Sequence, residues 1–175
     1  MINMKNIFVL LFAICLMMYS YGQNSINQKD AEGRKNGLWI KDYPDSHWEL
    51  RYKNGILHGV FVGYGKNQNK ICTIGEYANG EPVGTWYYFT DDGIPSYKVY
   101  DFMKNDTIII GDNKNLMEYK PFYKAWNVYY YPSGNKKSEG LLLFSEDPEL
   151  ESFKYGIWSY YDEDGTMVEK RMHKP

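Results

Sequence analysis

The sequence predicts an all-β protein whose fold is an elongated antiparallel sheet built from repeated β-hairpins. Aromatic residues make up 18% of the 175 residues, with 18 tyrosines and 5 tryptophans, and such side chains pack well across neighbouring strands. Sixteen glycines, together with many Asn and Asp residues, supply turns. A ten-residue pattern that opens at a small residue and ends at a turn occurs five times in all along the chain.

The clearest copy of the pattern is GTWYYFTDDG at 84–93. It predicts a strand that is entered through Gly84 and left through an Asp-Asp-Gly turn. Side chains alternate along a strand, so Trp86 and Tyr88 are expected on one face, and Tyr87 and Phe89 on the other. The other four copies open at Gly37, Gly59, Ala125 and Gly156.

A large aromatic residue stands early in every copy, at a position named here the aromatic slot. The residues assigned to it are Trp39, Phe61, Trp86, Trp126 and Trp158. Because one aromatic side chain buries about 150–250 Å², we expect these five to form the core between hairpins. If one face of the sheet is open, the opposite row is a possible binding surface. That row consists of Tyr87, Phe89, Tyr129, Tyr131 and Tyr161.

Glycines mark the links between copies. The spacing Tyr-x-x-Gly-x-x-x-Gly occurs at 52–59 and again, position for position, at 77–84. Each link contains Asn-Gly, a strong signal for a two-residue hairpin turn. Four glycines are therefore predicted to be structural: Gly55, Gly59, Gly80 and Gly84.

Residues 1–22 have the character of a signal peptide, with Lys5 before an apolar run at 7–18 and cleavage expected between Gly22 and Gln23. The run is shorter than the ~20 residues that span a bilayer, which favours cleavage over anchoring. Lipidation at Cys15 is disfavoured because the large Ile14 precedes it.

The mature chain is predicted to begin with a flexible leader at 23–35, followed by a repeat domain at 36–175 with an insert at about 104–124. Cleavage leaves Cys72 as its only cysteine, so no internal disulfide forms. We expect Cys72 to be buried and inert.

The repeat resembles the MORN repeat, in the variant form common in bacterial proteins. The matching residues are Tyr52, Gly55, Gly59, Phe61 and Tyr64, then Tyr77, Gly80, Gly84, Trp86 and Tyr88–Gly93, and in part Trp126–Gly134 and Gly156–Gly165. The resemblance implies an elongated sheet of hairpins and a scaffold or binding role. Some bacterial relatives are labelled antitoxins, a role that fits this chain only if it is not exported.

Nothing in the sequence indicates catalysis, a cofactor or a metal. His47, His58 and His173 have no metal-ligand spacing and are expected to face solvent. The acidic run at 162–165 lacks the ligand spacing of a calcium loop and occupies the same place in its copy as the turn at 91–93. We therefore predict a protein that is not an enzyme.

The net charge and the predicted export limit the classes of partner that this protein is expected to bind. Lys and Arg number 20 against 22 Asp and Glu, which gives no basic footprint for nucleic acid or anionic lipid. Membrane contact is expected only through the signal peptide. The predicted function is a secreted or periplasmic scaffold that binds a protein or a cell-envelope component. The alternatives are a glycan-binding module with exposed aromatic rows, an antitoxin-like protein if not exported, and a hydrolase with a hidden acid pair or Cys72.

Overall fold

The computed structural model describes residues 26–65, 70–104, 123–144 and 152–174, and the backbone of 108–110 and 117–119. The predicted signal peptide, with Cys15 and the cleavage point at Gly22, lies outside the described residues. So does most of the predicted insert.

The described chain forms thirteen strands. They are β1 (Gly37–Tyr43), β2 (Ser46–Lys53), β3 (Ile56–Leu57), β4 (Gly59–Tyr64), β5 (Ile71–Ala78), β6 (Glu81–Phe89), β7 (Pro95–Lys104), β8 (Ile108–Ile110), β9 (Met117–Tyr119), β10 (Tyr123–Tyr130), β11 (Lys136–Phe144), β12 (Phe153–Tyr161) and β13 (Met167–His173).

Eleven strands form one sheet in which chain order is also spatial order. The path is β1-β2-β4-β5-β6-β7-β10-β11-β12-β13, with β3 paired to β2, and the strand pairs are antiparallel. β8 and β9 lie within the predicted insert and pair with each other, while β7 pairs directly with β10. The predicted all-β class and hairpin-built antiparallel sheet are confirmed.

Four hairpins turn through the same five-residue loop. In each, the first residue's amide donates to the fifth residue's carbonyl, and the fourth residue is a glycine whose amide donates back to the first residue's carbonyl. The glycine has a positive φ of 78–93°, which side chains disfavour. The four loops are at 30–34, 90–94, 131–135 and 162–166.

The two Asn-Gly links form two-residue turns with positive φ at both positions. The angles are 52° and 84° at Asn54 and Gly55, and 53° and 86° at Asn79 and Gly80, as a type I′ turn requires. Each glycine amide also donates to a carbonyl of the preceding hairpin. Gly55 N lies 2.8 Å from Lys35 O, and Gly80 N lies 2.8 Å from Leu57 O.

The prediction of a flexible leader at 23–35 is corrected for residues 26–35, which form a hydrogen-bonded turn. Lys29 and Lys35 pair as an isolated antiparallel bridge, and Asn36 N donates to Gln28 O at 3.0 Å. The sequence contained the signal, because Gly33-x-x-x-Gly37 has the same glycine spacing as the later links.

One face of the sheet, the packed face, contains the core of aromatic rings. Phe61 stacks on Trp86 at 5.4 Å between ring centroids, and Tyr88 stacks on Tyr97 at 4.2 Å. Burial raises the pKa of Tyr97 to about 12. The buried members are Leu50, Phe61, Trp86, Val99 and Ala125, and those packed against them are Trp39, Trp48, Tyr52, Leu57, Tyr77, Tyr88, Tyr97, Phe102, Tyr123 and Phe144.

Two tryptophans lie flat over a glycine of the preceding strand, which is named here a glycine seat. A Cβ on Gly75 would lie 2.1 Å from the Trp86 ring, and one on Gly140 would lie 2.6 Å from the Trp158 ring. Each indole N–H donates to the carbonyl one residue after its seat: Trp86 to Glu76 O at 3.2 Å and Trp158 to Leu141 O at 2.9 Å. A side chain at either seat would exclude the indole.

The assignment of Trp126 to the aromatic slot is wrong. Asn127 occupies that position on the packed face, opposite Val99 on one side and Gly140 on the other, while Trp126 points to the opposite face. The strand before Asn127 supplies Val99 instead of a glycine, so no room exists for an indole. Asn127 is fully buried, and its Nδ2 donates to Ala125 O at 3.0 Å.

We expect Gly75→Ala and Gly140→Ala each to lower the free energy of unfolding by about 1–3 kcal/mol, because the methyl group overlaps the indole ring. Chemical denaturation measures the change. Gly63→Ala is the matched control: this glycine lies on the packed face of β4, and its Cβ would meet Phe61 at an ordinary 3.4 Å. The control should stay within about 1 kcal/mol of wild type. Equal stability of Gly75→Ala and Gly63→Ala would contradict the glycine seat.

Candidate functional site

The face opposite the packed face is named the second face. Strand register aligns one row of directly paired neighbours on it: Glu49, Val62, Ile74, Tyr87 and Lys98. A second row places Val60 opposite Glu76, and Glu76 opposite Val83. These rows cross β4, β5 and β6 in the sheet.

Five apolar side chains from these rows form the second-face patch, defined as Val60, Val62, Ile74, Val83 and Tyr87. Val60 is 45% exposed and Tyr87 is 46% exposed, and the other three are half-buried. An antiparallel sheet with one packed face usually shows polar residues on the other. Here apolar side chains face outward on three adjoining strands, with Glu49 and Lys98 at the margins. One exposed carboxylate, that of Glu76, lies between Val60 and Val83.

An ion-paired carboxylate lies further along the second face. Glu139 accepts hydrogen bonds from Lys136 Nζ at 2.9 Å and from the Tyr161 hydroxyl at 2.6 Å. Partial burial raises the pKa of Glu139, but the hydrogen bonds from Tyr161 and Lys136 outweigh it, so the pKa lies below its ordinary value. The hydrogen bond between the Tyr161 hydroxyl and Glu139 raises the pKa of Tyr161.

Trp126 stands beside this carboxylate. It pairs with Tyr100 across β7 and β10, and its side chain contributes a hydrogen bond that lowers the Glu139 pKa further. Lys98 Nζ lies 5.3 Å from the Tyr100 ring centroid. Trp126 is half-buried. The other four tryptophans lie on the packed face, so Trp126 is the one indole that the second face presents.

Of the predicted binding residues, Tyr87 lies in the second-face patch and Tyr161 bonds Glu139. Phe89 follows Tyr87 by two and is half-buried where the register with β7 shifts. The Tyr131 hydroxyl donates to Tyr161 O at 2.9 Å and so ties neighbouring turns together.

Tyr129 belongs to the packed face, which corrects its assignment to a binding surface. Its ring centroid lies 5.3 Å from Tyr97 and 6.0 Å from Trp158. The error has the same origin as that at Trp126, because the fourth copy was aligned one residue out of phase. The same phase error assigned Trp126 to the core, whereas Tyr100 lies on β7, outside the fourth copy.

Two histidines differ from the solvent-facing expectation. His47 is half-buried against Tyr64, with Nδ1 2.6 Å from Asp42 Oδ1. His173 packs on Trp158, with Nε2 2.8 Å from the Tyr160 hydroxyl. Both lie on strands where neighbouring rings cover them, while His58 is exposed.

Cys72 is half-buried instead of fully buried, and its Sγ donates to Gly63 O at 3.3 Å.

At 162–166, the Thr166 amide contacts both Asp162 Oδ1 and Asp164 Oδ1 at 2.9 Å, so these carboxylates bind the turn's own backbone. Among the described residues, no group of three His, Cys, Asp or Glu side chains is placed to hold a metal.

A cavity of about 200 Å³ lies where β6, β7 and β10 adjoin. Among the described residues that line it, the one carboxylate is Glu81, whose Oε1 is 2.9 Å from Lys104 Nζ. The described residues therefore bring no acid pair of the kind that glycoside hydrolysis uses to this cavity. The rest of its lining is Pro82, Val83, Phe102, Met103 and Tyr123.

Comparison with known proteins found no match: no protein-family model, no curated protein and no solved structure is similar to this chain. The resemblance to MORN repeats therefore stays a prediction. The described residues contain no helix with the length and apolar character that crossing a membrane requires.

The lowered pKa of Glu139 predicts a pH-dependent share of stability. Because the folded-state pKa lies below the ordinary value of 4.5, this share is present above that pH and is lost as pH falls through the folded-state pKa. We expect Glu139→Gln to flatten the corresponding fall in melting temperature between about pH 5 and 3. Tyr161→Phe removes one donor and should flatten it in part. Curves parallel to wild type for both variants would contradict the assignment.

Proposed function

We propose that this protein is an exported, non-enzymatic repeat protein that acts as a scaffold for a protein or cell-envelope component. The second-face patch is the observation that carries the proposal. Exposing an apolar surface on three adjoining strands to water is unfavourable, and apolar patches with polar margins are typical of interaction sites.

The two faces of the sheet differ in how far the chain's own side chains cover them, and this difference supports the proposal. The packed face is occupied by the chain's own rings, with Trp86 5% exposed and Trp158 fully buried. On the second face, β4, β5 and β6 therefore remain for a partner. Further along that face, Val128 and Leu143 are buried, at 2% and 0% exposed. Adjacent strands lie about 4.8 Å apart, so β4, β5 and β6 present a flat strip that suits a protein surface better than an enclosed small molecule.

Export is part of the proposal and rests on the sequence of residues 1–22. An exported scaffold meets its partner outside the cytoplasm. A partner in the cell envelope fits the near-neutral charge, which provides no electrostatic attraction to nucleic acid.

Pull-down with the mature protein tests this function. We expect wild type to recover a stoichiometric partner from the envelope fraction and not from the cytoplasmic fraction. The double variant Ile74→Thr, Tyr87→Ser should lose that partner, because it replaces the centre of the second-face patch with polar side chains. Ile157→Ser is the matched control, since Ile157 is exposed on β12, away from the patch. Circular dichroism checks that all three proteins are folded. Retention of the partner by the double variant would overturn the role of the patch.

A glycan-binding function is the second candidate, and the pairing of Trp126 with Tyr100 favours it. Aromatic faces stack on sugar rings, and Lys98 and Glu139 would supply hydrogen bonds at the same place. We expect oligosaccharides to shift the tryptophan emission of wild type, and Trp126→Phe to abolish the shift. Trp48→Phe, on the packed face, is the control and should keep it. Unchanged wild-type emission across a glycan panel would remove this candidate.

A further inference from the structure

The two edge strands of the sheet, β1 and β13, differ in whether their outer backbone groups are hydrogen-bonded. At the first end, the outer edge of β1 is covered: Asn27 N donates to Leu38 O, and Ile40 N donates to Asn27 Oδ1, each at 2.8 Å. At the other end, β13 pairs with β12 and with no other strand of the described chain. An outermost strand presents a row of backbone donors and acceptors to which another strand can add.

The side chains of β13 other than that of His173 are exposed and carry a positive balance. Val168 is 61% exposed and Met172 is 59% exposed. Lys170, Arg171 and the following Lys174 oppose a single carboxylate, that of Glu169. Glu169 is paired with Arg171 at 2.9 Å, whereas Lys170 makes no ion pair within the described chain.

These charges favour an acidic peptide over a second copy as the occupant of the edge. Antiparallel pairing of β13 with itself, in the registers of greatest overlap, is centred on Glu169, Lys170 or Arg171. Each register places two identical charges directly opposite each other, which is destabilising. The register centred on Lys170 also places Glu169 opposite Arg171 twice, which offsets part of that repulsion. An occupant with carboxylates at these positions removes the repulsion.

We propose that the β13 edge binds an extended acidic peptide by strand addition. In antiparallel register the peptide places carboxylates opposite Lys170 and Arg171, and apolar side chains opposite Val168 and Met172. Main-chain hydrogen bonds supply affinity and the alternating side chains supply specificity. This site is separate from the second-face patch and does not depend on the function proposed for that patch.

Fluorescence polarisation with the mature protein tests the edge. The probe is the fluorescein-labelled peptide Thr-Val-Glu-Glu-Thr-Val-Thr, and we expect saturable binding. The same peptide with N-methyl groups on alternate amides should bind at least about tenfold more weakly, a loss of about 1.4 kcal/mol, because its backbone can no longer pair. Lys170→Glu, Arg171→Glu should weaken binding of the probe to a similar degree and favour a version with Lys in place of Glu.

Two control variants test whether the probe binds at β13 and not elsewhere on the sheet. Lys53→Glu changes an exposed lysine on β2, far from β13 in the strand order, and should leave binding unchanged. The Ile74→Thr, Tyr87→Ser variant should also bind the probe as wild type does. No binding to wild type, or equal binding of the N-methylated peptide, would overturn strand addition.

Discussion

The contact between an indole ring and a bare glycine backbone is the interaction on which the rest of this sheet depends. At the seats of Gly75 and Gly140, the missing side chain lets the ring lie on the strand and reach a carbonyl beyond it. At three slots, the residue on the preceding strand limits the side chain that the slot can hold. Glycine admits tryptophan at two of them, and Val99 faces Asn127 at the third.

Much of the fold was predictable because its signals are local. The Asn-Gly turns at 54–55 and 79–80 and the alternation around Trp86 are properties of a few adjacent residues. The assignment of Trp126 was wrong because periodicity does not show which residue stands across the strand. The structural role of Gly75 and Gly140 is not predictable for the same reason, since they lie inside strands and do not mark turns.

Less of the candidate site was predictable. Tyr87 was identified from alternation alone, but the second-face patch exists only when Val62, Ile74 and Tyr87 are aligned by the register of three strands. Such alignment depends on bulges, for example between Gly63 and Tyr64, that leave no clear trace in sequence. The side chains that contact Glu139 likewise come from separate hairpins.

The stacking of the hairpins has a direction. Each glycine seat precedes its tryptophan in the chain, as Gly75 precedes Trp86 and Gly140 precedes Trp158, and the Trp39 indole bonds Gln28 O, also behind it. A chain that emerges amino-terminus first, from a ribosome or across a membrane, therefore presents each seat before the ring that closes it. Each new hairpin can pack on strands that have already formed, without any residues that follow it in the chain. A partly synthesised or partly exported chain therefore exposes one unfilled glycine seat at a time.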